Sequence, residues 1–291
     1  MEDAIQKADV LLEALEWIKR FQNRYVVMKL GGSTLDEFEK VKRFLADVVF
    51  MATVGMKPII VHGGGKAISS AMNAAGIEPK FIQGRRFTDD KTLEIASHVL
   101  IEEICHSLVR EIANLQAVAK PLHYRTTNSL QAKKLFLKND AGIETSLGHV
   151  GQVTEVDVHL IDEVCNEGAI PIIPSIALDE KGNRLNVNAD STAASIAQRL
   201  SAEKLVFLSD VSGIYTNPSE PETLISHLNI ARCRELISQG VISSGMLPKV
   251  EAAFDALKSG VKKVHIVDGR MPHSVLLEIY SDRGVGTEIV N

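Results

Sequence analysis

Five short apolar runs separate longer stretches in which apolar residues recur with a helical period. A run that is apolar throughout is typical of a strand buried on both faces, and strands alternating with helices indicate parallel β-α-β units. The predicted strands span residues 25–30, 58–61, 170–173, 204–208 and 264–267. The sequence therefore predicts an α/β fold, a three-layer αβα sandwich with a largely parallel central sheet and two lobes that meet near residue 178.

The intervening stretches predict helices and one hairpin region. Helical periodicity covers residues around 37–53, the stretch after Gly65 as far as Gly76, and 90–115, 191–200, 230–239 and 248–259. Asp190 is predicted to be the N-cap of the helix over 191–200. Residues around 117–156 have the character of β-hairpins.

The first 24 residues stand apart as a helix ahead of the first strand. Leu11, Ala14, Leu15, Ile18 and Phe21 fall at helical spacing, and Val10 and Trp17 form a second apolar edge. Two interpretations stay open at this point. The helix either caps the core of its own chain or also packs on another subunit.

Composition excludes several classes of protein. The 291 residues carry a formal net charge of -5, and Lys and Arg are scattered, which argues against nucleic-acid binding. There is neither the basic start of a signal peptide nor an apolar run near the ~18 residues that span a membrane. Cys105, Cys165 and Cys233 lie far apart and are expected to be buried free thiols. We expect a soluble, cytoplasmic protein that binds neither nucleic acid nor membrane.

Two glycine-rich turns follow predicted strands. Lys29 to Ser33 reads KLGGS and His62 to Ala67 reads HGGGKA, and neither has the spacing of a Walker A or dinucleotide motif. Glycine lets backbone amides approach an anion closely, and the N-terminus of the following helix adds positive potential. Because the carboxyl ends of neighbouring parallel strands share one edge, two such turns favour a phosphate site over mere tight turns.

Three polar clusters accompany these turns. Arg85 and Arg86 offer guanidinium groups suited to a carboxylate, and Lys249 falls in the first turn of a predicted helix after Gly245. The segment from Leu185 to Asp190 presents amides and a carboxylate at the start of another helix. Each cluster taken alone is more often a surface loop or a helix cap.

Taken in order, these segments resemble the amino-acid kinase family, and within it the acetylglutamate kinases of arginine biosynthesis. The likeness runs from about residue 25 to the C-terminus. Its motifs are Lys29-Leu-Gly-Gly32, Val61-His-Gly-Gly-Gly65, Gly84-Arg-Arg-Phe-Thr88, Asn186-Val-Asn-Ala-Asp190, Ser209-Asp-Val-Ser-Gly213 and Gly245-Met-Leu-Pro-Lys249.

The resemblance implies ATP-dependent phosphorylation of the side-chain carboxylate of N-acetyl-L-glutamate to an acyl phosphate. Lys29 and Lys249 would stabilise the transferring phosphoryl group, and Asp190 would hold the two lysines. No protein metal site is implied, since Mg²⁺ would stay mostly on the ATP phosphates. His62 is left outside the catalytic set, because a structural histidine fits its position at least as well.

The same comparison assigns the binding residues. In the acceptor-substrate lobe, residues 25–178, these would be Gly64, Gly65 and Arg86, with Arg86 on the α-carboxylate; Asn186 would contact the acetamido group. In the nucleotide-binding lobe, residues 179–291, ATP would meet Ser209, Asp210 and Gly213. Gly31 and Gly32 would donate to its phosphates.

Arginine-sensitive members of this family carry a helix like residues 1–24, which links dimers into a hexamer. The resemblance therefore implies a homo-oligomer, a dimer or a hexamer built as a trimer of dimers, with arginine as a feedback inhibitor. The implied arginine site consists of Trp17, Lys204, His273, Glu278, Gly284 and Gly286. Trp17 stands where those relatives commonly have tyrosine.

One segment departs from the family pattern. Residues 117–137 lack the glycine-rich stretch that many acetylglutamate kinases carry there. Two alternatives therefore stay open: a sister kinase acting on another carboxylate, such as an aminoadipate derivative, and a catalytically silent nucleotide or arginine sensor on the same fold. The joint presence of Lys29, Asp190 and Lys249 disfavours the sensor.

Overall fold

The computed structural model describes residues 2–35, 37–138, 144–217, 219–243, 245–280 and 284–291. The helices are α1 Glu2–Phe21, α2 Gly32–Leu35, α3 Phe38–Thr53, α4 Gly65–Ala74, α5 Asp90–His98, α6 His106–Asn114, α7 Val158–Asn166, α8 Ala189–Arg199, α9 Ile230–Ser238, α10 Leu247–Lys258 and α11 Ser274–Ile279. A π-helical segment, Val99–Cys105, joins α5 to α6. The long helix predicted over 90–115 therefore forms with a π-helical centre.

The strands in chain order are β1 Tyr25–Leu30, β2 Lys57–His62, β3 Phe81–Ile82, β4 Arg85–Arg86, β5 Ala119–Pro121, β6 Leu130–Lys138, β7 Glu144–Val156, β8 Ile170–Pro174, β9 Ile176–Leu178, β10 Arg184–Val187, β11 Lys204–Ser209, β12 Ile214–Tyr215, β13 Leu224–Ile225, β14 His227–Asn229, β15 Lys263–Asp268 and β16 Thr287–Val290. The main sheet has eight strands in the order β14-β16-β15-β11-β1-β2-β8-β5. Its neighbouring pairs are parallel except β15 with β16. The predicted α/β fold with a mostly parallel central sheet is confirmed.

Both faces of this sheet are buried. Val27 of β1 and Phe207 of β11 belong to one hydrophobic core with α8 and α10, whereas Met28 and Val206 belong to a second core with α3 and α6. Because successive side chains of a strand point to opposite faces, the central strands must be apolar throughout. That requirement is the physical origin of the apolar runs in the sequence.

The predicted boundary near residue 178 falls inside a small closed barrel formed by β10, β7, β6 and β9. There β9 pairs with β10, and β6 with β7 as a long antiparallel hairpin. The barrel stands beside the main sheet at the carboxyl end of β8, because Ser175 alone separates β8 from β9. The division into an acceptor-substrate lobe and a nucleotide-binding lobe stays a prediction.

In the part of the chain that the structure describes, no helix is both long enough and sufficiently apolar to cross a membrane. Helix α1 reaches 20 residues but has many charged positions. Much of its apolar surface faces solvent in this chain, since Ile5, Val10, Leu12 and Leu15 are all exposed. Its C-terminal end is anchored by Phe21, which is buried against the second core.

Candidate active site

The two glycine turns lie side by side. Strands β1 and β2 are parallel neighbours, with Leu30 in register with His62, so Gly31–Gly32 and Gly63–Gly65 leave the same edge of the sheet together. Both turns line one cleft of about 760 Å³. This arrangement matches the expectation that ligands of open α/β sheets bind beyond the carboxyl ends of the strands.

Two glycines of these turns, Gly31 and Gly64, are closely packed. A Cβ added to Gly31 would lie 2.7 Å from the Leu208 carbonyl oxygen, and one added to Gly64 would lie 2.8 Å from Cδ1 of Ile104. The contact at Gly31 is with backbone, which cannot move aside, whereas at Gly64 the Ile104 side chain would have to shift. At Gly31 the backbone itself therefore forms the wall of the cleft. A wall of this kind offers N–H groups to an anion without an intervening side chain.

A cluster of three charges forms the floor of the cleft. Lys29 Nζ lies 2.8 Å from Oδ1 of Asp190, and Lys249 Nζ lies 3.0 Å from Oδ2 of the same carboxylate. Burial by itself raises the pKa of Asp190, but the charges of the two lysines outweigh burial and hold its pKa below the ordinary value. The carboxylate is therefore ionised at neutral pH. One negative charge between two positive ones leaves the cluster net cationic, as a site for a transferring phosphoryl group requires.

The prediction that Asp190 caps helix α8 is wrong. The N-cap is Asn188, whose side chain accepts a hydrogen bond from the Ser191 amide, and Asp190 lies in the first helical turn. Both residue types favour an N-cap, so the sequence pattern alone does not choose between them. The consequence is functional, because capping by Asn188 releases the Asp190 carboxylate to pair with the lysines.

Arg86 lies in the same cleft, held by polar contacts. Its Nη2 donates to the carbonyl oxygen of Gly65 at 2.7 Å and to Ser69 Oγ at 2.8 Å, and its guanidinium lies over the ring of Phe81. Burial lowers the pKa of Arg86 from its ordinary value, although an arginine still keeps its charge. The guanidinium is thus fixed beside the second glycine turn.

The remaining predicted binding residues divide into two groups. Asn186, Ser209 and Asp210 line the cleft, and Gly213 does not. A Cβ added to Gly213 would lie 2.2 Å from Oγ1 of Thr287, so this glycine allows close packing between the β11–β12 turn and β16. The role of Gly213 at the nucleotide stays a prediction.

Sequence reasoning did not assign Lys66, although it lines the cleft at the start of α4. Its position directly after the glycines of the second turn is the sequence signal from which it could have been found. His62, by contrast, is fully buried and does not line the cleft, and burial lowers its pKa to about 4. A neutral, inaccessible imidazole agrees with its exclusion from the catalytic set.

The atypical segment of residues 117–137 lies away from this chemistry. None of these residues lines the cleft. Strand β5 is the edge of the main sheet, and β6 lies in the closed barrel between β7 and β9. The departure from the family pattern therefore falls on scaffold rather than on the cleft wall.

A second charged cavity, of about 720 Å³, lies near the amino ends of β11 and β15. Of the residues predicted for an arginine site, Trp17, Lys204, Glu278 and Gly284 line it. Gly286 does not line the cavity, but its amide donates to Glu278 Oε2 at 2.9 Å. This glycine therefore positions the carboxylate.

His273 is not brought to the second cavity. Its Nδ1 lies 2.6 Å from Oδ1 of Asp47, a buried carboxylate on α3. Two other histidines line the cavity, His227 and His265. Of these, His265 of β15 contacts the predicted carboxylate, since its Nδ1 lies 2.6 Å from Glu278 Oε1. Sequence reasoning missed it because a buried strand histidine looks structural, whereas the sheet places its ring beside Glu278.

The fold and the cleft together define a phosphoryl-transfer enzyme built on a parallel sheet, with backbone and lysine donors for phosphate. Residues 24–268 match the amino acid kinase family, and the chain belongs to that family. It is thus an ATP-dependent kinase.

Full-length relatives narrow this class. The chain is 40% identical over 294 residues to the acetylglutamate kinase of Heliobacterium modesticaldum, covering 100% of both chains. It is 42% identical over 289 residues to that of Moorella thermoacetica, covering 98% of each. The resemblance to acetylglutamate kinases is therefore confirmed.

A structure of N-acetylglutamate synthase from Neisseria gonorrhoeae, complexed with coenzyme A and L-arginine, superposes with a TM-score of 0.80 at 25% identity, over 96% of this chain and 64% of that one.

Proposed function

We propose that this chain transfers the γ-phosphoryl group of ATP to the side-chain carboxylate of N-acetyl-L-glutamate, the step that acetylglutamate kinases contribute to arginine biosynthesis. The observation that carries the proposal is the buried Lys29–Asp190–Lys249 cluster beneath two glycine turns. Relatives named acetylglutamate kinase along the whole chain support the choice of acceptor.

The reaction needs alignment and charge compensation rather than proton transfer. An acceptor carboxylate oxygen attacks the γ-phosphorus, the bond to the β–γ bridging oxygen breaks, and ADP leaves with that electron pair. Since the carboxylate is already ionised at neutral pH, no general base is needed. Lys29 and Lys249 offset the negative charge on the phosphoryl oxygens, and Asp190 keeps both ammonium groups in position.

The two walls of the cleft bind different reactants, the acceptor on one side and ATP on the other. Arg86 pairs with the α-carboxylate of the acceptor beside Gly64 and Gly65, and Asn186 contacts the acetamido group. On the other side, Gly31 and Gly32 donate to the ATP phosphates, and Ser209 and Asp210 seat the nucleotide.

Mg²⁺ fits this site as a companion of ATP rather than as a ligand of the chain. Among the described residues, no group of three or more His, Cys, Asp or Glu side chains is placed to hold a metal ion. An ion that prefers to keep its water ligands binds well to the nucleotide phosphates. When bound there, Mg²⁺ neutralises part of the phosphate charge.

The direct test is an ATP-dependent assay in which hydroxylamine traps the acyl phosphate as a coloured hydroxamate. N-acetylglutamate is expected to give the signal, and glutamate, aspartate and aminoadipate little or none. A signal with another acceptor instead would overturn the acceptor assignment. No signal with any acceptor would favour the silent sensor.

We further propose that arginine occupies the second cavity and inhibits the enzyme. Burial raises the pKa of Glu278, but bonds from His265 and from the Val285 and Gly286 amides more than offset that effect, so its pKa lies below the ordinary value. Burial lowers the pKa of His265, which is therefore neutral and donates from Nδ1. Its Nε2 is then a buried acceptor for which the described residues supply no hydrogen-bond partner, and it is suited to a guanidinium N–H. The related synthase complexed with L-arginine supports this ligand.

Helix α1 supports a further proposal, that the enzyme assembles as a hexamer, a trimer of dimers. Trp17 stacks on Phe21 at the rim of the second cavity, while Ile5, Val10, Leu12 and Leu15 project apolar surface outward. Such a helix is suited to pairing with its equivalent in another subunit. For compartment we propose the cytoplasm, consistent with three cysteines that are all free thiols.

A further inference from the structure

Thr88 is a buried polar residue to which the proposed mechanism gives no role. It follows β4 and precedes Asp89, the N-cap of α5, and none of its surface is exposed to solvent. It does not line the cleft. Its neighbours nevertheless include two proposed acceptor-binding residues, Arg86 and Asn186.

All polar groups of Thr88 are engaged. Its amide donates to the Leu147 carbonyl at 3.0 Å, and its carbonyl accepts from the His149 amide at 2.6 Å. Its hydroxyl donates to the Arg86 carbonyl at 3.0 Å and lies 3.1 Å from Nδ2 of Asn186. Thr88 therefore joins β4, the β6–β7 hairpin and β10.

The hairpin is locked onto Thr88 by Gly148. This glycine has φ +75°, and an added Cβ would lie 2.2 Å from the Thr88 carbonyl oxygen. On the other side, Asn186 pairs with Val150 of β7 and Ile176 of β9, so the barrel fixes its backbone. The remaining freedom at Asn186 is the orientation of its side-chain amide.

The hydroxyl of Thr88 settles that orientation. A hydroxyl has one hydrogen, and here the hydrogen is used on the Arg86 carbonyl, so Thr88 can only accept from Asn186. The atom of Asn186 that faces Thr88 must then be the nitrogen. The carbonyl oxygen of the amide is left as the hydrogen-bond acceptor that Asn186 offers to the cleft.

We propose that Thr88 is a positioning residue for the acceptor substrate: it fixes the Asn186 amide so that Oδ1 accepts from the N–H of the substrate's acetamido group. This inference rests on the proposed function and deepens it, because it names the polarity with which the site recognises an N-acylated acceptor. Without Thr88 the amide can rotate and present N–H groups to a substrate N–H, an unsatisfied pairing in a partly buried site.

The test is a double-mutant cycle of Thr88→Val and Asn186→Ala, read by steady-state kinetics. Thr88→Val keeps the shape but cannot accept, so KM for N-acetylglutamate is expected to rise about tenfold. The kcat and the KM for ATP should change less than threefold, because the lost contact binds ground state and transition state alike. In the Asn186→Ala background, Thr88→Val should change KM less than twofold.

Conservative variants separate positioning from folding. Thr88→Ser keeps the hydroxyl and is expected to restore KM to within about threefold of the wild-type value. Thr92 is a different buried threonine, which lies on α5, and Thr92→Val should leave KM unchanged. Thr88→Ala replaces the valine variant if that protein does not fold.

Additive effects in the cycle, or a serine variant as impaired as the valine variant, would overturn the inference. A wild-type enzyme that makes no acyl phosphate from N-acetylglutamate would instead overturn the proposed function. The same cycle would then be read on whichever acceptor the enzyme uses, so the two failures stay distinguishable.

Discussion

The two charged cavities occupy opposite ends of the same strands. Strand β11 begins at Lys204, in the second cavity, and ends at Ser209, in the catalytic cleft. At the carboxyl end, glycine turns lead into helices, so backbone amides supply part of the positive potential. At the amino end, no glycine turn that leads into a helix lines the second cavity in the part of the chain that the structure describes, and the lining consists mostly of side chains.

The charges of the two cavities differ accordingly. In the cleft, two lysines share one carboxylate, which leaves a net positive charge and suits an anionic phosphoryl group. The second cavity brings three glutamates, Glu203, Glu278 and Glu288, against Lys204 and other cations, which suits a ligand with charges of both signs. At the carboxyl end of the sheet, backbone amides and helix N-termini therefore add to the lysines in favouring an anion, whereas at the amino end the charged side chains alone set which ligand fits.

The largest expected effect is at the cleft. Lys249→Met removes one of the two ammonium groups proposed to compensate the phosphoryl charge, and kcat is expected to fall by about 10³-fold. Lys258→Met, at an exposed lysine on the same helix, should leave kcat unchanged. A decrease of less than tenfold at Lys249, measured in the hydroxamate assay, would remove this lysine from the catalytic set.

The second prediction concerns the cost of a buried charge. Burial lowers the pKa of Lys204 to about 8 from 10.5, in spite of the favourable charges of Glu278 and Glu288. Below pH 8, Lys204 is protonated in both the folded and the unfolded chain, and the destabilisation caused by burying its charge is fully present. Between about pH 8 and 10.5 the unfolded chain binds more protons than the folded chain, so the free energy of unfolding rises with pH.

Lys204→Met should therefore be more stable than the wild type at pH 7 by up to about 3 kcal/mol, and this advantage should shrink toward pH 10. Urea unfolding at both pH values measures the difference, with Lys258→Met as the exposed control. If Lys204→Met is the less stable protein at pH 7, the ion pairs outweigh burial and the interpretation of the cavity is wrong.

The third prediction separates two histidines. His265→Ala removes both the partner of Glu278 and the Nε2 acceptor, and the arginine concentration for half inhibition should rise more than tenfold. His273 contacts Asp47, outside the second cavity. His273→Ala should therefore change the arginine concentration for half inhibition less than twofold. The reverse ranking, in an inhibition titration of both variants, would restore His273 to the arginine site.

The smallest effect on the folding or activity of a single chain is expected at helix α1, where a substitution should alter subunit association instead. Leu12→Asp places a charge on the outward apolar surface and should convert hexamers into dimers, because the buried charge would be unpaired. Val118→Asp, at an equally exposed apolar residue elsewhere, should leave the assembly unchanged. Sedimentation velocity distinguishes the two states, and a wild-type protein that does not form hexamers would contradict the proposal.

The sequence by itself determined the sheet and its anion-binding edge. Apolar runs such as residues 25–30 and 204–208 are dictated by burial on both faces, and glycine after a strand is dictated by close backbone approach, so both leave a local record. The lysines and Arg86 were found through their place in ordered motifs.

Only the tertiary structure decided which polar residues meet. The Asp190 carboxylate pairs with Lys29 and Lys249, which are far away in the chain, while Asn188 caps α8. His265 contacts Glu278, whereas His273 contacts Asp47. Thr88 likewise meets Asn186 across 98 positions of the chain. Local propensity carries no information about partners so far apart, and it is the register of the strands that brings their side chains within hydrogen-bond distance.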